Sequence, residues 1–151
     1  MRQVAADGFP QLASYDGLCL YYLELWKNGH GRRSWTFFQR ALSEYPDNVP
    51  MLNDVAWFLA TDPPVGAERC EALRLAQRAH ELSGDGLPAL LDTLAAAYAA
   101  DGQFDEAVRW AEKASNLAQA KGPNDLAREI ALRLQAYHAG KAWGRNGPVD
   151  P

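Results

Sequence analysis

The chain has 151 residues, of which 48% are hydrophobic and 23% charged, with a formal net charge of −4. That is one domain's worth of sequence, long enough to bury a core. The acidic balance argues against a general phosphate-backbone binder, which carries a basic footprint. No window approaches the roughly 20 apolar residues of a membrane-spanning helix.

Residues 1–14 hold Gly8, Pro10 and scattered apolar positions, and read as an irregular lead-in without the apolar run of a signal peptide. Helical periodicity then dominates, and no segment shows the period-2 alternation of a strand. A first helix is predicted over 15–28 with Leu18, Tyr21, Tyr22 and Leu25 on one face, broken at Gly29-His30-Gly31. A second covers 32–45, with Phe38, Ala41 and Leu42 inward, and Pro46 ends it because it has no amide proton to donate. Asp47 or Asn48 can cap a third over 49–60, with Pro50 tolerated in its first turn and Leu52, Val55, Ala56 and Leu59 inward.

Asp62-Pro63-Pro64-Val65-Gly66 makes a longer turn. A fourth helix follows over 67–82 through Ala72, Leu75, Ala76 and Ala79. Pro88 starts the fifth, Gly102 stops it, Phe104 begins the sixth and Gly122-Pro123 ends that. Asn124 is a good cap for a seventh over 125–139, with Ile130, Leu134 and Tyr137 as its stripe and Gly140 as a left-handed stop. Arg128, Glu129 and Arg133 are expected on its outer, solvated face. Residues 141–151, rich in Gly and Pro, are expected to be a flexible tail.

Equivalent positions recur. Leu18 to Leu52 and Leu25 to Leu59 are 34 residues apart, and Ala79 to Ala114 is 35. A helix-turn-helix period of about 34 residues is the mark of a tetratricopeptide array. The segment that carries the pattern best is 87–115, through Leu91, Leu94, Ala95, Tyr98, Gly102, Phe104, Ala107, Ala111 and Ala114. Weaker copies run through Leu18, Tyr21, Leu25, Phe38, Ala41 and Pro46, and through Leu52, Val55, Ala56, Leu59, Ala72, Ala76 and Ala79.

On these residues the chain resembles the tetratricopeptide repeat family. The resemblance implies an all-α, right-handed α-α superhelix: three helix pairs, about 15–48, 49–86 and 87–121, plus a C-terminal capping helix at 124–139, within one domain at 15–140. It also implies a concave groove lined by the first helix of each repeat. Carried over by position, the groove would comprise Cys19, Leu23, Trp26 and Lys27, then Asn53, Trp57 and Thr61, then Asp92, Ala96 and Ala99. Packing of Trp26 and Trp57 against neighbouring helices is the competing reading. Asp54 and Asp92 depart from the rows of Lys, Arg and Asn that grip a terminal carboxylate in this family. The groove should therefore suit an apolar or basic protein segment.

Catalytic chemistry is thinly represented. His30, His80 and His138 show no metal-ligand spacing, and Cys70 and His80 fall on different faces of one helix. No Gly-rich phosphate loop or nucleophile elbow occurs, so neither cofactor nor metal is expected. Cys19 and Cys70 read as reduced, mostly buried thiols of a cytoplasmic protein, or of the soluble part of a larger one. The basic positions towards the C-terminus, Lys121, Arg128, Arg133, Lys141 and Arg145, read as a solvated cap face, with a weak site for an acidic partner as the minority alternative. The expected function is non-catalytic: a scaffold that binds a protein or peptide, with no nucleic acid and no membrane insertion. The alternatives are self-association into a homo-oligomer and a C-terminal regulatory domain of a larger enzyme.

Overall fold

A computed structural model describes residues 17–122 and 124–150; the expected lead-in at 1–14 lies outside them. Seven helices follow in order: α1 Gly17–Lys27, α2 Gly31–Glu44, α3 Val49–Thr61, α4 Arg69–Ser83, α5 Pro88–Ala100, α6 Phe104–Ala120 and α7 Asp125–His138. Two short strands close the chain, β1 Ala142–Gly144 and β2 Gly147–Val149. Among the described residues all regular structure apart from this hairpin is helical, and no helix is long and apolar enough to cross a membrane.

Local chemistry sets the boundaries. The Asn48 side chain accepts from the Met51 amide at 3.1 Å and Asn124 from the Ala127 amide at 2.8 Å, so both asparagines cap the helices that follow them. Gly102 (φ +81°) and Gly140 (φ +69°) take the left-handed conformation that ends α5 and α7. Gly31 serves a different need: a Cβ there would lie 3.0 Å from Trp26 Nε1, so α2 starts close against the indole.

Sequential neighbours α1–α2, α3–α4, α5–α6 and α6–α7 pack together, and α3 also packs on α5. Ala95, Ala99, Ala107 and Ala111 let α5 and α6 approach closely, and the Tyr137 ring joins that cluster from α7. Ten of the 13 residues of α5 are buried, as befits a helix apolar almost all round.

Four expectations are corrected. The buried stripe of α1 is Cys19, Tyr22, Leu23 and Trp26, whereas Tyr21 is 50% exposed and Leu18 and Leu25 are only partly covered. The stripe turns because burying the Trp26 indole satisfies its N–H, which donates to the Asp62 carbonyl at 2.8 Å. Cys70 is exposed on the first turn of α4, while Cys19 is buried. Arg133 is buried on the inward face of α7 instead of standing beside exposed Arg128 and Glu129.

The fourth concerns the tail. Residues 142–149, within the stretch 141–151 expected to be a flexible tail, pair as an antiparallel hairpin with Trp143 opposite Pro148 and Gly144 opposite Gly147. A three-residue pairing has little stability alone. Here β1 packs on α3, α5 and α7, and Ala142 is buried among them.

Candidate functional site

The expected groove residues separate into two groups. Leu23, Trp26, Asp92, Ala96 and Ala99 are buried, which corrects the expectation that they line an open surface and, for Trp26, fits the competing reading of packing against neighbouring helices. Their cover comes from the chain itself: neighbouring helices, and above α3 and α5 also α7 and β1. Lys27 is exposed, and Asn53 and Trp57 are half-buried. Cys19 is buried and Thr61 nearly so, its hydroxyl donating to the Trp57 carbonyl at 2.8 Å.

Asp92 is the centre of what covers this face. Arg133 donates to it twice, Nε to Oδ1 at 3.0 Å and Nη2 to Oδ2 at 2.6 Å. Both side chains are 5% exposed, and Glu129 Oε2 lies 3.5 Å from Arg133 Nη2 one helical turn away. The guanidinium also lies over two indoles, 5.0 Å from the Trp57 ring and 5.8 Å from the Trp143 ring. Trp57 comes from α3, Asp92 from α5, Arg133 from α7 and Trp143 from β1. Four elements meet at one cation.

The electrostatics follow from burial. It is the main influence on the Asp92 carboxyl and pushes it up from the ordinary carboxylate value, against the pull of Arg133. Burial works against the Arg133 charge too, but the hydrogen bonds and charge of Asp92 outweigh it and hold the guanidinium above its usual value. Each charge is tolerated in this position because of the other. One turn further along α7, burial and then the Asp92 charge raise the Tyr137 phenol, whose oxygen is buried without a hydrogen-bond partner among the described residues.

An open slot of about 250 Å³ remains beside this cluster. Trp57, Phe58 and Trp143 supply its apolar walls, and Lys27, Asp62 and Arg145 supply charge at its edge. Arg145 Nη1 stands 4.0 Å from Asp62 Oδ2. A larger cavity of about 600 Å³ lies between α2 and α4, with Trp35, Leu42 and Leu75 in its lining. Its charged groups are already matched, Arg74 to Glu71 and Arg78 to Asp47 and Glu81. The smaller slot, where aromatic walls meet loosely paired charges, is the better candidate binding site.

The structure thus brings the expected Lys27, Trp57 and Thr61 to one slot, joins to them Asp62 from the long turn and Arg145 from the basic C-terminal stretch, and adds Phe58 and Trp143, which had no expected binding role. Trp143 carried a signal: a lone tryptophan in a Gly- and Pro-rich tail is expensive to leave in water. The histidines do not gather. His80 pairs with Asp85 at 2.5 Å and meets Trp110 edge-on, and no group of three or more metal-ligating side chains occurs among the described residues.

No protein-family model, curated protein or solved structure matches the chain.

Proposed function

We propose that this protein is a non-catalytic protein-protein interaction module built as a tetratricopeptide-like, right-handed superhelix. In this reading α1–α2, α3–α4 and α5–α6 are its three helix pairs and α7 is its capping helix. Support comes from the 34-residue register of Leu18 with Leu52 and of Leu25 with Leu59. Alanines at the α5–α6 contact and the packing of sequential helices also fit it. The concave face is then the side of α3 and α5 on which α7 and the hairpin lie.

The observation that carries the functional reading is the slot between Trp57, Phe58 and Trp143, with Asp62 and Lys27 at its rim. Aromatic walls supply binding area at low entropic cost, and the rim charges select register. A peptide segment with an apolar anchor and a basic neighbour fits that chemistry. Selection of a displayed peptide library on the wild-type protein, followed by calorimetry, tests it. Selected peptides should lose at least ten-fold in affinity on Trp57→Ala and on Asp62→Lys. Affinities indifferent to both substitutions would move the binding surface elsewhere.

Self-association is the second reading, favoured by Leu20 and Tyr21 on α1, 58% and 50% exposed. Light scattering across a concentration series distinguishes it, because a strict monomer removes it.

A further inference from the structure

We infer that residues 142–149 are a tethered occupant of the proposed binding face, and that a partner enters by replacing them with an extended segment of aromatic-x-basic sequence. The inference rests on the interaction-module reading and specifies its ligand. Three observations carry it.

First, the hairpin sits where a ligand would. Trp143 forms part of the lining of the aromatic slot and lies near the buried guanidinium of Arg133, as Trp57 does. Two residues on, Arg145 reaches towards the Asp62 carboxylate at 4.0 Å. Trp143-Gly144-Arg145 therefore presents an indole to a cation and a cation to an anion, the complement of the surface beneath it.

Second, the hairpin is weakly held on its own account. Its pairing spans three residues per strand, and β2 contributes exposed Pro148 and Val149. Proline has no amide to donate to a ladder. The two strands approach tightly at a glycine, since a Cβ at position 144 would fall 2.6 Å from Val149 Cγ1 and 3.3 Å from the Gly147 carbonyl oxygen, and one of them would have to shift.

Third, what lies beneath does not need the hairpin for its charge balance. Both bonds from Arg133 to Asp92 and its proximity to Glu129 are made without Trp143. Lifting the hairpin thus uncovers the Trp57 and Arg133 faces without stranding a buried ion. A partner aromatic can take the vacated position over the guanidinium while its basic residue meets Asp62.

The test uses the full chain and a synthetic peptide of residues 140–150, Gly-Lys-Ala-Trp-Gly-Arg-Asn-Gly-Pro-Val-Asp. A tethered segment competes at an effective concentration near millimolar. The peptide should therefore bind Trp143→Ala and Gly144→Ala proteins at least ten-fold more tightly than wild type, read by amide shifts of α3 and α5. Binding should disappear when the peptide carries alanine for its tryptophan, or when Trp57→Ala is added to the protein. Equal binding to wild type and both variants, or binding to none, overturns the inference. So does loss of helical circular dichroism in both variants, which would make the hairpin part of the fold instead of an occupant. Failure here leaves the library-selected peptides and their dependence on Trp57 untouched, so the two proposals fail separately.

Discussion

Arg133 and Asp92, 41 residues apart in sequence, close a two-point ion pair between α7 and α5 in a position almost sealed from solvent. Removing one partner of such a pair costs about 3–5 kcal/mol, because the remaining charge stays buried without compensation. A domain of this size has about 5–15 kcal/mol in total. Arg133→Met should therefore remove a large fraction of the protein's stability at 25 °C. The double substitution Arg133→Met with Asp92→Leu should recover most of the loss, with urea denaturation of both variants as the measurement. A double variant no more stable than the single one would remove the ion pair as the cause.

Trp26 ties α1 to the turn after α3 through its indole bond to the Asp62 carbonyl. Trp26→Phe keeps most of the aromatic bulk and drops the donor. The expected cost is about 1–3 kcal/mol, from the lost bond and the unsatisfied carbonyl. A urea midpoint within error of wild type would show that solvent already serves that carbonyl.

Tyr98 on α5 is half-buried, and its hydroxyl accepts from the Gln77 side-chain amide at 3.2 Å. Truncating a fully buried aromatic costs about 3–5 kcal/mol, so half-burial places Tyr98→Ala near 2 kcal/mol. Tyr98→Phe should cost well under half of that, since the hydroxyl bond is exposed. Thermal denaturation of the two variants side by side checks both the size and the order.

Asp85 lies between His80 and Lys113, 2.5 Å from each. Its carboxyl is held below the ordinary value, chiefly by the His80 hydrogen bond and then by that of Lys113. A carboxyl depressed in the folded state contributes stability above its unfolded value, near pH 4, and loses it as pH falls through the folded value. Asp85→Asn should therefore lower the melting temperature slightly at pH 6, and the difference should shrink as the pH falls below the ordinary carboxylate range. A difference that persists in strong acid would point to lost packing instead of charge.

The helices were legible because their signals are local. Asn48 and Asn124 announce caps, Gly102 and Gly140 announce stops, and the alanines of α5 and α6 announce close approach. Each can be read within a few residues. The inward turn of Arg133 could not be read that way, since it depends on a carboxylate 41 positions away and on two tryptophans from other elements. Nor could the α1 stripe, where Leu18-Leu25 and Cys19-Trp26 both satisfy helical spacing and the Asp62 carbonyl decides between them. The hairpin escaped because three-residue strands are too short to show alternation. Of the site, Lys27, Trp57 and Thr61 were legible by register, while Asp62 and Trp143 join them only through tertiary packing.

The enclosure of α5 has a consequence for motion. With ten of its residues buried and partners on α3, α4, α6, α7 and β1, its amides meet water only when the whole unit opens. The α1–α2 pair is joined to the rest mainly through α3 and can open without it. Native-state hydrogen exchange should therefore resolve two thermodynamic levels, with α5 reporting the global free energy and α1–α2 a smaller one. A chain described by one unfolding midpoint would then conceal an end that breathes independently of its centre.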